Sequence, residues 1–214
     1  MNEKPEDTMD AFFPMLLKLA GRRCLVVGAG TVAAGKIDRL LRCGAGLTVV
    51  SPRAIAAIQE LAASGRLAWQ CREFAAGDVP GHLLVVAATN SGATNATIFQ
   101  ACREQGVLCN AVDDPQHCDF IYPAVVRRGP LQIAISTGGR SPALASRLRR
   151  ELEEQFAPEW GAWIDELGRQ RDALAGEALS PESRRARIEQ ITSREAFAEF
   201  LRRYHAAHEE NEHR

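Results

Sequence analysis

Between residues 24 and 112, short apolar runs alternate with longer stretches in which apolar positions recur every three or four residues. The runs "CLVVG" (24–28), "LTVV" (47–50), "LAWQC" (67–71), "LLVVAAT" (83–89) and "VLCNAV" (107–112) predict strands, and the stretches near 31–43, 53–64 and 93–105 predict helices. Strands apolar along their whole length, separated by amphipathic helices, belong to a parallel sheet covered on both faces. Right-handed crossovers then make this an α/β protein with a Rossmann-like, doubly wound sheet. After Pro115 the pattern changes. "DFIYPAVVRRGPLQIAIST" reads as two strands about the turn "RRGP", an antiparallel hairpin. From Ala143 the pattern is helical to the end, interrupted near Pro158 and at 176–181, and only the tail "EENEHR" looks disordered. Three domains are expected: a nucleotide-type domain at 1–114, a hairpin and dimerisation region at 115–142, and a helical domain at 143–214.

Composition narrows the class without changing that architecture. With 46% hydrophobic and 25% charged residues in 214, the chain can bury a sizeable core. Its net charge of −1 supplies no global field for nucleic acid or a membrane surface. No apolar stretch approaches the roughly 20 residues that span a bilayer. The six cysteines form no CxxC pair, and four lie inside apolar runs, which suits a reducing compartment better than a disulfide framework. "MNEKPEDTMDAFFPML" is acidic ahead of its apolar part, unlike a signal peptide. A cytoplasmic protein is expected.

The first candidate chemistry lies where the first strand stops. Gly28-Ala29-Gly30-Thr31-Val32-Ala33 fits G-x-G-x-x-G/A: one glycine for the tight turn, one to admit a pyrophosphate, and a small residue for close helix packing. The phosphates of a dinucleotide would then sit at the positive end of helix 31–43, with Thr31 and Val32 opening it. The second strand, however, ends "VVSPR" and lacks the acid that usually holds the adenosine ribose. Ser51 can bond a ribose and Arg53 suits a 2′-phosphate, so NAD and NADP both remain open. At the fourth strand, Thr89 and Asn90 stand either beside the nicotinamide half or as caps of the next helix.

The fifth strand ends at Val112, which puts Asp113 on the ligand edge of the sheet. A carboxylate there can take a proton as a hydride leaves for the nicotinamide; the competing reading is that Asp113 or Asp114 caps the "DDPQ" turn. Phe120 to Arg150 holds six arginines (127, 128, 140, 147, 149 and 150) and no acid, which suits a carboxylate-bearing partner. The competing reading is an arginine face compensated by Glu151, Glu153 and Glu154. Within this segment Ser136, Thr137, Gly138, Gly139, Arg140 and Ser141 combine hydroxyls, backbone N–H groups and a helix start at Pro142, a second anion-binding arrangement. No metal site is expected. The apolar faces of "FIYPAVV" and "LQIAI" need a cover, which a second copy would provide in a homodimer.

Taken in order, "FPMLLKLAGRRCLVVGAGTVAAGK", "LTVVSP", "AATN", "CNAVDDPQHCDFIYPA" and "IAISTGGRSPALASRLRRELE" resemble the dehydrogenase/ferrochelatase module of siroheme synthesis, from about Phe12 to Leu174. The resemblance implies NAD-dependent oxidation of precorrin-2 to sirohydrochlorin, with or without insertion of ferrous iron as a second substrate. It implies that Asp113 is the catalytic aspartate and that Thr137 faces the substrate. It also implies that Thr31, Val32, Pro52 and Arg53 contact NAD, and the missing ribose acid is typical of that family. The carboxylates of a tetrapyrrole would give the arginine segment its partner. Two positions depart from the pattern. Gly35 replaces an arginine at a cost of about 1 kcal/mol to its helix, and His117 replaces an apolar residue. The alternatives are a nucleotide-sensing regulatory module and a chelatase that kept a degenerate nucleotide fold.

Overall fold

A computed structural model describes residues 12–212, with side chains through His208. The acidic start of the chain and its last two residues lie outside the described residues. Two compact units meet between Tyr122 and Pro123.

In the first unit β1 (Arg23–Val27), β2 (Gly46–Val50), β3 (Ala68–Gln70), β4 (Leu84–Ala87) and β5 (Leu108–Ala111) form one parallel sheet in the order β3-β2-β1-β4-β5. This is the doubly wound order expected from the alternating pattern. Its faces are closed separately. On one side α1 (Thr31–Arg42) and α2 (Ala56–Ala63) pack Ala33, Ile37, Leu40 and Ile58 against Cys24, Val26, Val49 and Val86. On the other, α3 (Gly92–Glu104) packs Ile98, Ala101 and Cys102 against Leu25, Val27, Val85 and Cys109. Buried positions in α1 fall at i, i+4 and i+7, one face of a 3.6-residue helix. All six cysteines are free.

The segment 115–122, expected to belong with the hairpin, packs on the first unit instead. The reason is the open edge of β5. Asn110 bridges Cys118 in antiparallel fashion, Asp119 N–H donates to Cys109 O at 2.8 Å, and Asp119 Oδ2 accepts Cys109 N–H at 2.8 Å. Asn110 Nδ2 donates to Phe120 O at 2.7 Å, and Phe120 and Tyr122 join the core. Covering the edge satisfies backbone groups that would otherwise invite another strand.

In the second unit β6 (Ala124–Arg128) and β7 (Leu131–Ile135) form the expected antiparallel hairpin. Four helices follow: α4 (Pro142–Gln155), α5 (Glu159–Ala175), α6 (Pro181–Ile191) and α7 (Arg194–Glu212). The hairpin turn lies on α5 through two glycines: a Cβ on Gly129 would stand 3.2 Å from Gly161 Cα, and one on Gly161 3.1 Å from Arg128 C. Trp160 and Trp163 of α5 pack on Phe197 and Phe200 of α7. The tail 209–214, expected to be disordered, is helical through Glu212, because a helix anchored by that aromatic cluster adds one backbone hydrogen bond per residue as it extends. Among the described residues no helix is long and apolar enough to cross a membrane.

Candidate functional site

The carboxyl ends of β1, β2 and β4 open onto a cleft of about 640 Å³. Gly28, with φ of +102°, turns the chain at its floor, and a Cβ there would lie 2.3 Å from Ala88 O. Only glycine fits. Gly30 is different: its φ is −89°, and a Cβ on it would meet no protein atom within 4 Å. It is the N-cap of α1, no side chain caps that helix, and its first turn holds no acid. The amide ends of α1 are thus left for an anion in the space above Gly30, which is what a dinucleotide pyrophosphate requires. Val32, 53% exposed, is an apolar side chain at the mouth of the same helix.

On the β2 side Ser51, Pro52 and Arg53 line the cleft as expected. Ser51 is buried, and its hydroxyl donates to Arg53 O at 2.7 Å, so its first task is to shape the 51–53 turn. On the β4 side the capping assignment shifts by one or two residues: Ser91, not Thr89 or Asn90, caps α3 by accepting Thr94 N–H at 3.2 Å. Thr89 Oγ1 donates to Asn95 Oδ1 at 2.7 Å and accepts Ser91 N–H at 3.2 Å, while Asn90 is exposed at the rim. Asn95, nearly fully buried, holds that loop; a polar residue on the inner face of α3 was its one sequence signal, and it was missed.

The loop after β3 contributes Glu73 and Phe74, also missed because nothing local marks them. Arg72 clamps this loop through Asp78, with N–O distances of 2.8 and 2.5 Å. The Arg72 hydrogen bond holds the Asp78 carboxyl below the usual carboxylate range. A depressed native pKa stabilises the fold above the unfolded value and is lost as the pH falls through the native one. Asp78→Asn should therefore melt below the parent at pH 7. The two melting curves should converge once the pH is well under about 4.

Asp113 stands two strands from Gly28, about 10 Å across the sheet edge. It is exposed, and its φ of +60° makes it the one non-glycine in the left-handed region among the described residues. Aspartate tolerates that conformation better than most residues, though at some cost. The turn itself is held by others. Asp114 pairs with His117 Nδ1 at 2.5 Å, His117 packs edge-on against Phe99, and Cys118 Sγ donates toward Ala111 O and Asp114 O. No hydrogen bond ties down the Asp113 side chain among the described residues. Beside it, Lys36 Nζ lies 4.1 Å over the ring of Tyr122, whose buried hydroxyl has no partner among the described residues. Burial pushes the Lys36 ammonium below its ordinary value and Arg39 adds to this, while Asp113 and Cys118 act in the opposite direction. Burial also raises the Tyr122 phenol.

Ser136, Thr137, Gly138, Gly139, Arg140 and Ser141 lie in the second unit, between β7 and α4. Gly138 and Gly139 take φ of +60° and +79°, Thr137 Oγ1 accepts Ser141 N–H at 3.0 Å, and Ser141 caps α4 through Leu144 N–H. The arginines of this unit divide. Arg128 is structural, donating to Phe156 O at 2.6 Å and to Glu153 O at 2.9 Å. Arg147 and Arg149 pair along α4 with Glu151 and Glu153, the compensation that the sequence also allowed.

Two family models match the chain, one for NAD(P)-binding proteins over residues 15–124 and one for the sirohaem biosynthesis protein central region over 128–155. A siroheme synthase of Neisseria meningitidis serogroup C is 40% identical over 174 residues, 81% of this chain and 36% of that protein. One from Actinobacillus pleuropneumoniae is 37% identical over 186 residues, 87% of this chain and 38% of that protein. The chain thus spans little more than a third of these curated relatives. Among solved structures, "SirC, precorrin-2 dehydrogenase" superposes with a TM-score of 0.76 at 29% identity, covering 90% of this chain and 98% of that one. With both family models matched in order, the chain belongs to the NAD(P)-binding family whose model spans residues 15–124, and it carries the sirohaem biosynthesis central region directly after it.

Proposed function

We propose that this chain oxidises precorrin-2 to sirohydrochlorin with NAD as the hydride acceptor. The observation that carries the reading is Asp113: a strained, exposed carboxylate on the ligand edge, left out of the turn it belongs to. The oxidation removes a hydride and a proton. Bound NAD supplies the hydride acceptor. The chain does the rest: α1 and the Gly28–Gly30 turn hold the diphosphate, and the Asp113 carboxylate takes the proton from the tetrapyrrole carbon skeleton. In the second unit, the Ser136–Ser141 loop and the exposed Arg127 and Arg150 are suited to the carboxylates of the substrate.

Purified protein given precorrin-2 and NAD should form NADH in a one-to-one ratio with sirohydrochlorin. Absence of NADH with bound cofactor would leave a nucleotide-sensing role. Ferrous iron, added afterwards, tests insertion on the same site; that reaction must remove two pyrrole protons, and Asp113 is the acceptor at hand.

We also propose a homodimer built on the hairpin. Among the described residues β6 and β7 form a two-stranded sheet with both outer edges unpaired, and Leu131, Ile133 and Ile135 are only half-buried. Such a hairpin is marginal without further cover. Sedimentation should give a dimer at micromolar concentration, and a stable monomer would count against it.

A further inference from the structure

The end of β2 leaves the ribose of a dinucleotide without its usual acid. We propose that Glu73, from the loop after β3, supplies that acid and makes the cleft select NAD over its 2′-phosphorylated form. The inference rests on the nucleotide reading of the cleft.

β3 runs parallel to β2 with Val50 opposite Gln70, so the two strands release their loops at the same edge. Those loops are tied together. Ser51 N–H donates to Gln70 O at 3.2 Å, Trp69 Nε1 donates to Ser51 O at 3.0 Å, and Cys71 Sγ donates to Pro52 O at 3.2 Å. The far side is held as firmly. Arg72 pairs with Asp78 and donates to Glu73 O at 2.9 Å, Asp78 accepts Ala75 N–H at 2.9 Å, and Phe74 packs into the core with Val50 and Val79. Glu73 itself is exposed, and its carboxylate has no hydrogen bond or ion pair among the described residues. It is the only carboxylate among the residues that line the cleft, and Arg53 is the only cation.

A carboxylate accepts from both hydroxyls of an unmodified ribose. A 2′-phosphate would remove one of those donors and bring nearly two negative charges against Glu73. The position therefore favours one cofactor twice, by attraction to the diol and by repulsion of the phosphate. Arg53 alone would favour the opposite choice.

Calorimetric titration of the full chain with NAD and with NADP separates these effects. The parent should bind NAD more tightly. Glu73→Gln should weaken NAD about 10-fold, by the loss of a charge-assisted hydrogen bond, and leave NADP unchanged or tighter, so that the preference collapses. Its melting temperature should match the parent, because Glu73 anchors nothing. Equal weakening of both cofactors, or an unchanged ratio, would overturn the ribose assignment and leave the nucleotide reading standing. A parent that prefers NADP, with Arg53→Ala abolishing the preference, would also overturn it. A parent that binds neither cofactor would remove the nucleotide reading along with it.

Discussion

Asp113→Asn should lower NADH formation from precorrin-2 by about 10²–10⁴-fold, the usual worth of a positioned general base. Asparagine is the cleaner replacement, because Asp113 sits at φ of +60° and asparagine also adopts that conformation readily. Alanine would add about 1 kcal/mol or more of backbone strain and mix stability with chemistry. NAD affinity should hold, since Asp113 is two strands from the glycine turn. Asp114→Ala is the control. Its carboxylate pairs with His117 at one third exposure, so the change should cost less than about 1 kcal/mol and leave turnover near that of the parent. If ferrous insertion occurs, it should fall together with the dehydrogenase in Asp113→Asn. Normal turnover in that variant would return Asp113 to a merely conformational role.

What could be read in advance follows from how local its physical cause is. β1, β2 and β4 are buried on both faces along most of their length, so each is a nearly continuous apolar run, and their limits fall within two residues of those expected. The hairpin about Gly129 and the helix start at Ser141-Pro142 carry their own turn and cap chemistry. The missed features are pairings between distant residues. Cys118–Phe120 covers the edge of β5 by contacts across eight to ten positions, so the first unit extends to Tyr122, past the boundary expected at 114. Arg128 belongs by sequence to the arginine segment that suits an anion, yet it closes on carbonyls 25 and 28 residues ahead. The sequence allows Thr89 as a cap or a nicotinamide contact, and a buried Asn95 six residues on decides its hydroxyl partner. The glycine turn was legible because its function is a backbone conformation. Glu73 was not, because the strand pairing alone brings its loop to the cleft.

The two glycines of that turn should fail in different ways when given a side chain. Gly28→Ala puts a Cβ against Ala88 O at 2.3 Å on a backbone with φ of +102°, so the β1 turn or the β4 loop must move. Strain and overpacking together should cost about 2–5 kcal/mol, lowering the melting temperature by roughly 10 °C. A Cβ on Gly30 meets no protein atom within 4 Å, and the φ of −89° there is open to valine. It loses a fair N-cap for a poor one, about 1 kcal/mol. Its branched carbons nonetheless fill the space above the first turn of α1, where the diphosphate must approach the backbone. NAD affinity should therefore fall at least about 100-fold, or 2.7 kcal/mol, in a protein that still melts cooperatively. Calorimetric titration and thermal denaturation on both variants distinguish the cases. If Gly30→Val binds NAD as tightly as the parent, the cofactor does not lie over this helix end, and the glycine turn serves only to pack β1 against β4.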